Sequence, residues 1–336
     1  MTTIREVARR LNISITTVSR ALDGYSDVAE ETRRLVKQTA EQMGYAPNRA
    51  ARQLRRRRAD TIGYILPASA LQFSDPFFSE FIAGLGDEAT VQDFDLLVST
   101  AAPGSQAEVS AYERWVQGRK VDGMVLNRMR RQDWRAGYLA RAGLPFVSLE
   151  RAEAPGSHAC VEVNGRAGFE LLMGHLAGKG HRRIAYIGGP RELVIQVDRF
   201  EGYRKGLTAA GLPFEAALVA EGDTLRSGGY LAAQRLLDLP HPPTAITCIN
   251  DLTAIGVLHA AGERGIKVGS ELAVAGFDGI AECEHTTPPL TTLSQSLYAI
   301  ARSLVSMLSA TIRDQPLAEP RVRLQPELIV RASTGG

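Results

Sequence analysis

Apolar side chains in the first 45 residues recur at helical spacing in three short runs. In "TIREVARRL" Val7, Ala8 and Leu11 share one face, with Thr3 and Glu6 at capping-box spacing ahead of them. The break "LNIS" places Ser14 as the cap of a second helix, whose Val18, Ala21 and Leu22 pack back on the first. A third run, "EETRRLVKQTAEQMGY", contributes Leu35, Val36, Ala40 and Met43 and closes a small three-helix core. Beyond residue 60 the pattern changes to buried-strand runs alternating with amphipathic helices: "TIGYILP", "FFSEFIAGLGDEATVQ", "DLLVST", a helix through Trp115, then "VDGMVL". A second set of the same design begins near residue 161 with "GFELLMGHLAGKG" and "RIAYIGG" and ends in "LAVAGFD". This is the rhythm of βαβ units. The pattern predicts an all-α helix-turn-helix head plus an α/β body of two doubly wound parallel-sheet lobes, with a cleft where their strand ends meet.

Composition adds little until it is divided. Hydrophobic residues at 44% and charged residues at 23% are ordinary globular usage. No apolar run approaches the roughly 20 residues of a membrane span, and "MTTIREVARR" has no apolar h-region, so a cytoplasmic location is expected. Cys160, Cys248 and Cys283 lack paired spacing, which favours neither a disulfide framework nor a zinc cage. The net charge of +2 conceals an asymmetry: residues 1–60 carry 13 Lys/Arg against 7 Asp/Glu, and the remainder 26 against 30. A basic head ahead of a mildly acidic body directs the search for nucleic acid to the N-terminus.

Enzyme chemistry finds no support in the motifs. There is no GxxxxGK[ST], GxGxxG after a strand, GxSxG or HExxH, and the six histidines are scattered, with His175 and His181 too far apart for one helix face. No cofactor, metal site or catalytic activity is expected. The paired glycines of "IAYIGGP" are explained by a strand-to-loop transition.

The head offers a surface for reading DNA. In a helix-turn-helix the start of the second helix enters the major groove. Arg20 can donate a bidentate pair to guanine, Thr16 can donate or accept, and Ile15 can meet a thymine methyl; Thr17 and Ser19 are expected at phosphates. The stretch "NRAARQLRRRR", Asn48 to Arg58, carries six arginines around Leu54. Its apolar face is too small to bury alone. Phosphates would neutralise the arginines, and paired copies would place Leu54 to wedge into a minor-groove base step. A basic linker fits the arginine run as well. Thr3, Ser14, Asn48, Arg49, Ala51 and Leu54 complete the residues assigned to DNA.

From residue 2 to about residue 330 the chain resembles the LacI/GalR family of bacterial transcription regulators. The resemblance rests on "TIREVARRLNISITTVSRALDG", "VAEETRRLVKQTAEQMGYAPNRAARQL", "GHRRIAYIGG", "DRFEGYRKGL", "AITCINDLTAIGVLHAAGERGIKVGSELAVAGFDG" and "PPLTTLSQ". It implies a head over 1–45, a hinge helix over 46–60, and a type I periplasmic-binding-protein-like body. The first lobe is expected over 61–160 and 290–320, the second over 161–289 and 321–336, with three crossings between them. By the same resemblance Leu54 is the intercalating hinge residue, and Phe77, Asn127, Glu150, Arg199, Asn250 and Asp278 line the effector cleft. Asp75, Arg128, Arg151 and Phe277 accompany them. Taken alone, Asp278 with Gly279 also reads as a turn, Asn250 as a helix cap, Arg199 as a solvated charge and Phe77 as core. Ala29 departs from the family's Ser or Asn cap, a loss of about 1 kcal/mol at that helix end.

The expected protein is a ligand-responsive repressor of a sugar operon, a homodimer on a near-palindromic operator. "DPFFSEFIAGLGDEA", "VDGMVLNRMR" and "LPFVSLER" resemble members that respond to sugars, α-glucosides among them. A purine or nucleoside, a phosphorylated sugar, a sugar-processing enzyme and a constitutive architectural DNA binder are the alternatives.

Overall fold

A computed structural model of the chain describes residues 2–23, 25–45, 58–67, 75–152 and 158–335. They fall into two compact units, Met1–Ala59 and Asp60–Gly336.

The first unit has helices α1 (Ile4–Leu11), α2 (Ile15–Leu22) and α3 (Glu30–Gln42). Val7, Ala8, Val18, Ala21, Val28 and Val36 form its core, with Leu11, Leu22 and Met43 packed around it. The backbone amide of Thr3 donates to Glu6 Oε2 at 2.7 Å, and Ser14 Oγ accepts from the amide of Thr17 at 3.0 Å, so both expected caps form. Ala29 stands at the α3 N-cap without a side-chain bond. Arg33 braces that turn instead, donating to the carbonyls of Tyr25 and Val28 at 2.9 and 3.2 Å. Leu35 corrects the sequence reading. It is 51% exposed while Val36 is fully buried, because one residue on an α-helix turns the side chain by about 100° and only one of the pair can face so small a core.

The second unit contains two six-stranded sheets with the same strand order. In the first, β1 (Thr61–Pro67), β2 (Asp95–Ala101), β3 (Gly123–Leu126), β4 (Phe146–Leu149), β5 (Ala159–Val163) and β11 (Arg321–Leu324) run in the order β2-β1-β3-β4-β5-β11. In the second, β6 (Ile184–Gly188), β7 (Val219–Glu221), β8 (Ala245–Cys248), β9 (Ala273–Asp278), β10 (Thr291–Ser294) and β12 (Glu327–Ile329) run β7-β6-β8-β9-β10-β12. Every pairing is parallel except β10 with β12. Helices α4 (Pro76–Val91) and α11 (Leu297–Ile312) cover one face of the first sheet; α5 (Gln106–Gln117) and α6 (Trp134–Ala142) cover the other. On the second sheet α7 (Gly165–Gly178) and α8 (Val194–Ala209) face α9 (Arg226–Leu237) and α10 (Asp251–Glu263) across the strands. Burial on both faces is why the central strands β3, β6, β8 and β9 read as apolar runs.

The chain passes between lobes at Asn164, at Gln295–Ser296 and at Gln325–Pro326, which moves two expected boundaries. Thr291–Ser294, expected in the first lobe, pairs with β9 in the second, Thr292 opposite Gly276. Arg321–Leu324, expected in the second lobe, pairs with β5 in the first, Arg321 opposite Cys160. The dipeptide Gln325–Pro326 interrupts the strand pattern of "RVRLQPELIV", and each half finds a different sheet edge. Among the described residues no helix is long and apolar enough to cross a membrane.

Candidate functional site

In the head, Ile15 is 44% exposed and Thr16 lies beside it in solvent, as a groove-reading helix requires. Arg20 forms an ion pair with Asp27, its Nε 3.2 Å from Oδ1, and its guanidinium lies 4.8 Å from the centre of the Tyr25 ring. Ser14 and Thr17 share a hydroxyl contact of 2.8 Å at the helix start, and Thr3 Oγ1 donates to Glu6. Ser19 differs from expectation: it is 5% exposed and its hydroxyl reaches toward Asp23, since it follows Val18 on the flank of the buried face. Asn48, Arg49, Ala51 and Leu54 lie outside the described residues.

In the body a cleft opens where the C-terminal strand ends of the two lobes converge. This is where open α/β sheets bind ligands. The first lobe contributes Asp75, Phe77, Arg128, Leu149 and Glu150; the second contributes Ile195, Arg199, Thr224, Asn250 and Asp278; Gln295 comes from a crossing. Asp75 caps α4, its Oδ1 accepting from the amide of Phe77 at 3.0 Å, and its Oδ2 stands 3.6 Å from the Arg128 guanidinium. Arg128 reaches across the cleft to Thr224 Oγ1 at 3.2 Å. Arg199 donates to the carbonyl of Ile249, faces Asp278 Oδ1 at 3.6 Å, and lies over the Phe277 ring, 3.6 Å from its centre. Gln295 Nε2 donates to Asp278 Oδ1 at 2.8 Å.

Two expected cleft residues stand behind the wall instead. Phe277 is fully buried beneath Arg199, because alternate residues of β9 point to opposite faces and Asp278 takes the cleft. Asn127 is 1% exposed and donates to the Tyr64 hydroxyl at 2.6 Å, leaving its Oδ1 buried without a protein partner. Arg151 is exposed and lies outside the lining. Asn250 satisfies both sequence readings. Its Oδ1 caps α10 through the amide and hydroxyl of Thr253, its Nδ2 donates to Thr224 O at 2.9 Å, and one amide hydrogen is left for the cleft. Leu149, Ile195, Thr224 and Gln295 were not foreseen. Leu149, Thr224 and Gln295 end or closely follow a strand, the one signal that marks them.

Backbone strain gathers here. Among the described residues nine non-glycine positions have positive φ, and four of them line the cleft: Arg128 (47°), Glu150 (71°), Thr224 (69°) and Asp278 (122°). Such conformations cost of order 1–3 kcal/mol each and persist where the surroundings hold them. The carboxyls are strained electrostatically. Burial pushes Glu150 up to about 8 against the pull of the Val163 amide and Arg199. Burial likewise raises Asp278 to about 8, opposed by Arg199 and reinforced by Asp251 and Asp75. Asp75 is raised by burial against Arg128. Protonated carboxyls and half-engaged guanidinium groups give the cleft both donors and acceptors beside the Phe77 ring.

Comparison with known proteins agrees with this architecture. Residues 3–48 match the model described as bacterial regulatory proteins, lacI family, and residues 173–334 match a periplasmic binding protein-like domain. The chain is 34% identical to the HTH-type transcriptional regulator AglR of Rhizobium meliloti, covering 99% of this chain and 94% of that protein. It is 32% identical to CelR of Thermobifida fusca over 98% of both. Among solved structures, a complex of the regulator CelR with cellobiose superposes with a TM-score of 0.77 at 29% identity, covering 99% and 100% of the two chains. The lac repressor dimer bound to operator and an anti-inducer gives 0.82 at 26%, covering 99% of each.

Proposed function

The chain belongs to the lacI family of bacterial regulatory proteins, and from that premise we propose a dimeric repressor switched by a neutral, hydroxyl-rich sugar of disaccharide size held between its lobes. It is a DNA-binding transcriptional regulator, and what remains to be assigned is its ligand and the way that ligand acts.

One observation carries the choice of ligand. Both arginines of the cleft already face a carboxylate at 3.6 Å, and Glu150 adds a third acid without adding a cation. A phosphorylated sugar would have to draw these guanidinium groups away from the carboxyls they already face. Vicinal hydroxyls instead find acceptors at Asp75 and Asp278, donors at Arg128, Arg199 and Asn250, and an apolar ring at Phe77. The complex of CelR with cellobiose supports the disaccharide scale.

On DNA, Ile15, Thr16 and Arg20 read bases, while Asn48, Arg49 and Ala51 engage the backbone and Leu54 kinks the duplex. A ligand bridging the lobes alters the geometry at the three crossings and so the exit of the chain toward residues 46–60. A coupling of about 1–3 kcal/mol makes a useful switch.

The test is a thermal-shift and calorimetric screen with maltose, trehalose, sucrose, cellobiose, inosine and glucose 6-phosphate. A disaccharide at 100-fold its Kd stabilises by about 2.7 kcal/mol. Asp278→Ala should abolish that shift and retain operator binding. A shift with glucose 6-phosphate or inosine and none with any disaccharide refutes the ligand class.

A further inference from the structure

Away from the cleft wall, a buried ionic cluster lies beneath the loop that carries Arg128. Arg135 is 1% exposed, Glu108 1% and Asp133 5%. Arg135 is bound to Asp133 through two contacts, Nε to Oδ1 at 2.9 Å and one terminal nitrogen to Oδ2 at 2.6 Å. The same terminal nitrogen donates to the carbonyls of Asn127 and Arg128 at 3.1 and 3.2 Å. Asp133 accepts from the amide of Arg130 at 3.0 Å. Glu108 accepts from Gly104 N at 2.8 Å, takes the Arg130 guanidinium at 3.3 Å, and stands 3.9 Å from Arg135. The loop is thus tied at two carbonyls, one amide and one side chain.

The loop does two things at its far side. It aims Arg128 into the cleft from a left-handed backbone, and it docks on the opposite lobe. Arg130 forms an antiparallel bridge with Leu193, Arg131 N donates to Glu192 O at 2.8 Å, and Val194 N donates to Met129 O at 2.9 Å. Val194 of the second lobe packs against the first lobe's Trp115 and Met129 cluster. Buried ion pairs are poor sources of net stability, whereas a residue in a strained conformation needs surroundings that over-determine it.

We propose that Arg135, clamped by Asp133 and Glu108, is a positioning residue that shapes the Asn127–Arg131 loop into a latch between the lobes and points Arg128 at the ligand. Arg135 itself touches no ligand.

The test needs no effector, so its result is separable from the sugar reading. Hydrogen exchange is followed in the full-length protein and in Arg135→Met and Arg135→Lys. In the methionine variant the amides of Arg131 and Val194 should exchange at least tenfold faster, with β6 and α10 unchanged. Lysine keeps the charge pair but lacks the fork for both carbonyls, so its rates should fall between. Loss of protection spread evenly over both lobes, or unchanged rates at Arg131 and Val194, overturns the proposal. Should the methionine variant fail to fold, the lysine variant decides by the same two amides.

Discussion

Replacing Glu150 by Gln should flatten the pH dependence of the body's stability. Glu150 is 9% exposed, and its Oε1 accepts one hydrogen bond, from the Val163 amide at 3.2 Å. Burial raises its pKa from 4.5 to about 8. Between those values the native state holds a proton that the unfolded chain has released, so stability is fully present below about pH 4.5 and declines as pH rises toward 8. The slope is about 1.4 kcal/mol per pH unit for one such group. Across the whole interval this is on the order of 5 kcal/mol with rigid lobes, and a few kcal/mol once opening of the cleft hydrates the carboxylate. At about 2–4 °C per kcal/mol, the variant should match wild type near pH 5 and melt several degrees higher at pH 8. Gln keeps the acceptor for Val163, so the difference isolates the ionisation. Asp278 leaves a residual slope in both proteins because it is raised in the same direction. Scanning calorimetry at half-unit pH steps gives the two curves, and parallel curves would refute the argument.

Arg20→Ala should relax preference at one base pair of each half-site by about 1–3 kcal/mol, measured by gel shift on single-substitution operators; an unchanged preference removes Arg20 from base reading. Gly256→Ala should lower the melting temperature of the body through a cost of at least 1–3 kcal/mol. A Cβ there would lie 2.1 Å from Arg226 O and 2.7 Å from Tyr230 N, both backbone atoms that no rotamer change can move, so an unaltered melting temperature would show that α9 and α10 are not packed as described.

What could be read in advance follows from what is periodic. Val7, Ala8, Val18, Ala21 and Val36 announce themselves because a three-helix core leaves one face per helix, and the same logic fails to separate Leu35 from Val36. Cleft residues such as Arg199 and Asp278 were legible through family motifs, whereas Thr224 and Gln295 belong to no motif. They arrive in the cleft because parallel strands end there. Phe277 shows the converse. It sits in the same "GFDG" as Asp278, yet strand alternation sends it to the opposite face, under Arg199. Nothing in "RVRLQPELIV" states which sheet edge each half will join, because both halves alternate and both edges were open.

The strain at the cleft bears on how a small ligand can control DNA binding. Arg128 and Glu150 belong to the first lobe, Thr224 and Asp278 to the second, and all four adopt left-handed backbone where the lobes meet. Closing the lobes around water buries Glu150 and Asp278 where their ionised forms are disfavoured. A ligand that supplies hydroxyl donors to the acids and acceptors to the arginines removes that penalty only when both lobes reach it. Its affinity is then greater for the closed arrangement than for the open one, and that difference is the whole of what it can transmit. The consequence is sharp: a monosaccharide seated against Asp75 and Phe77 alone would bind without switching, and a longer sugar spanning from Phe77 to Asp278 would do both.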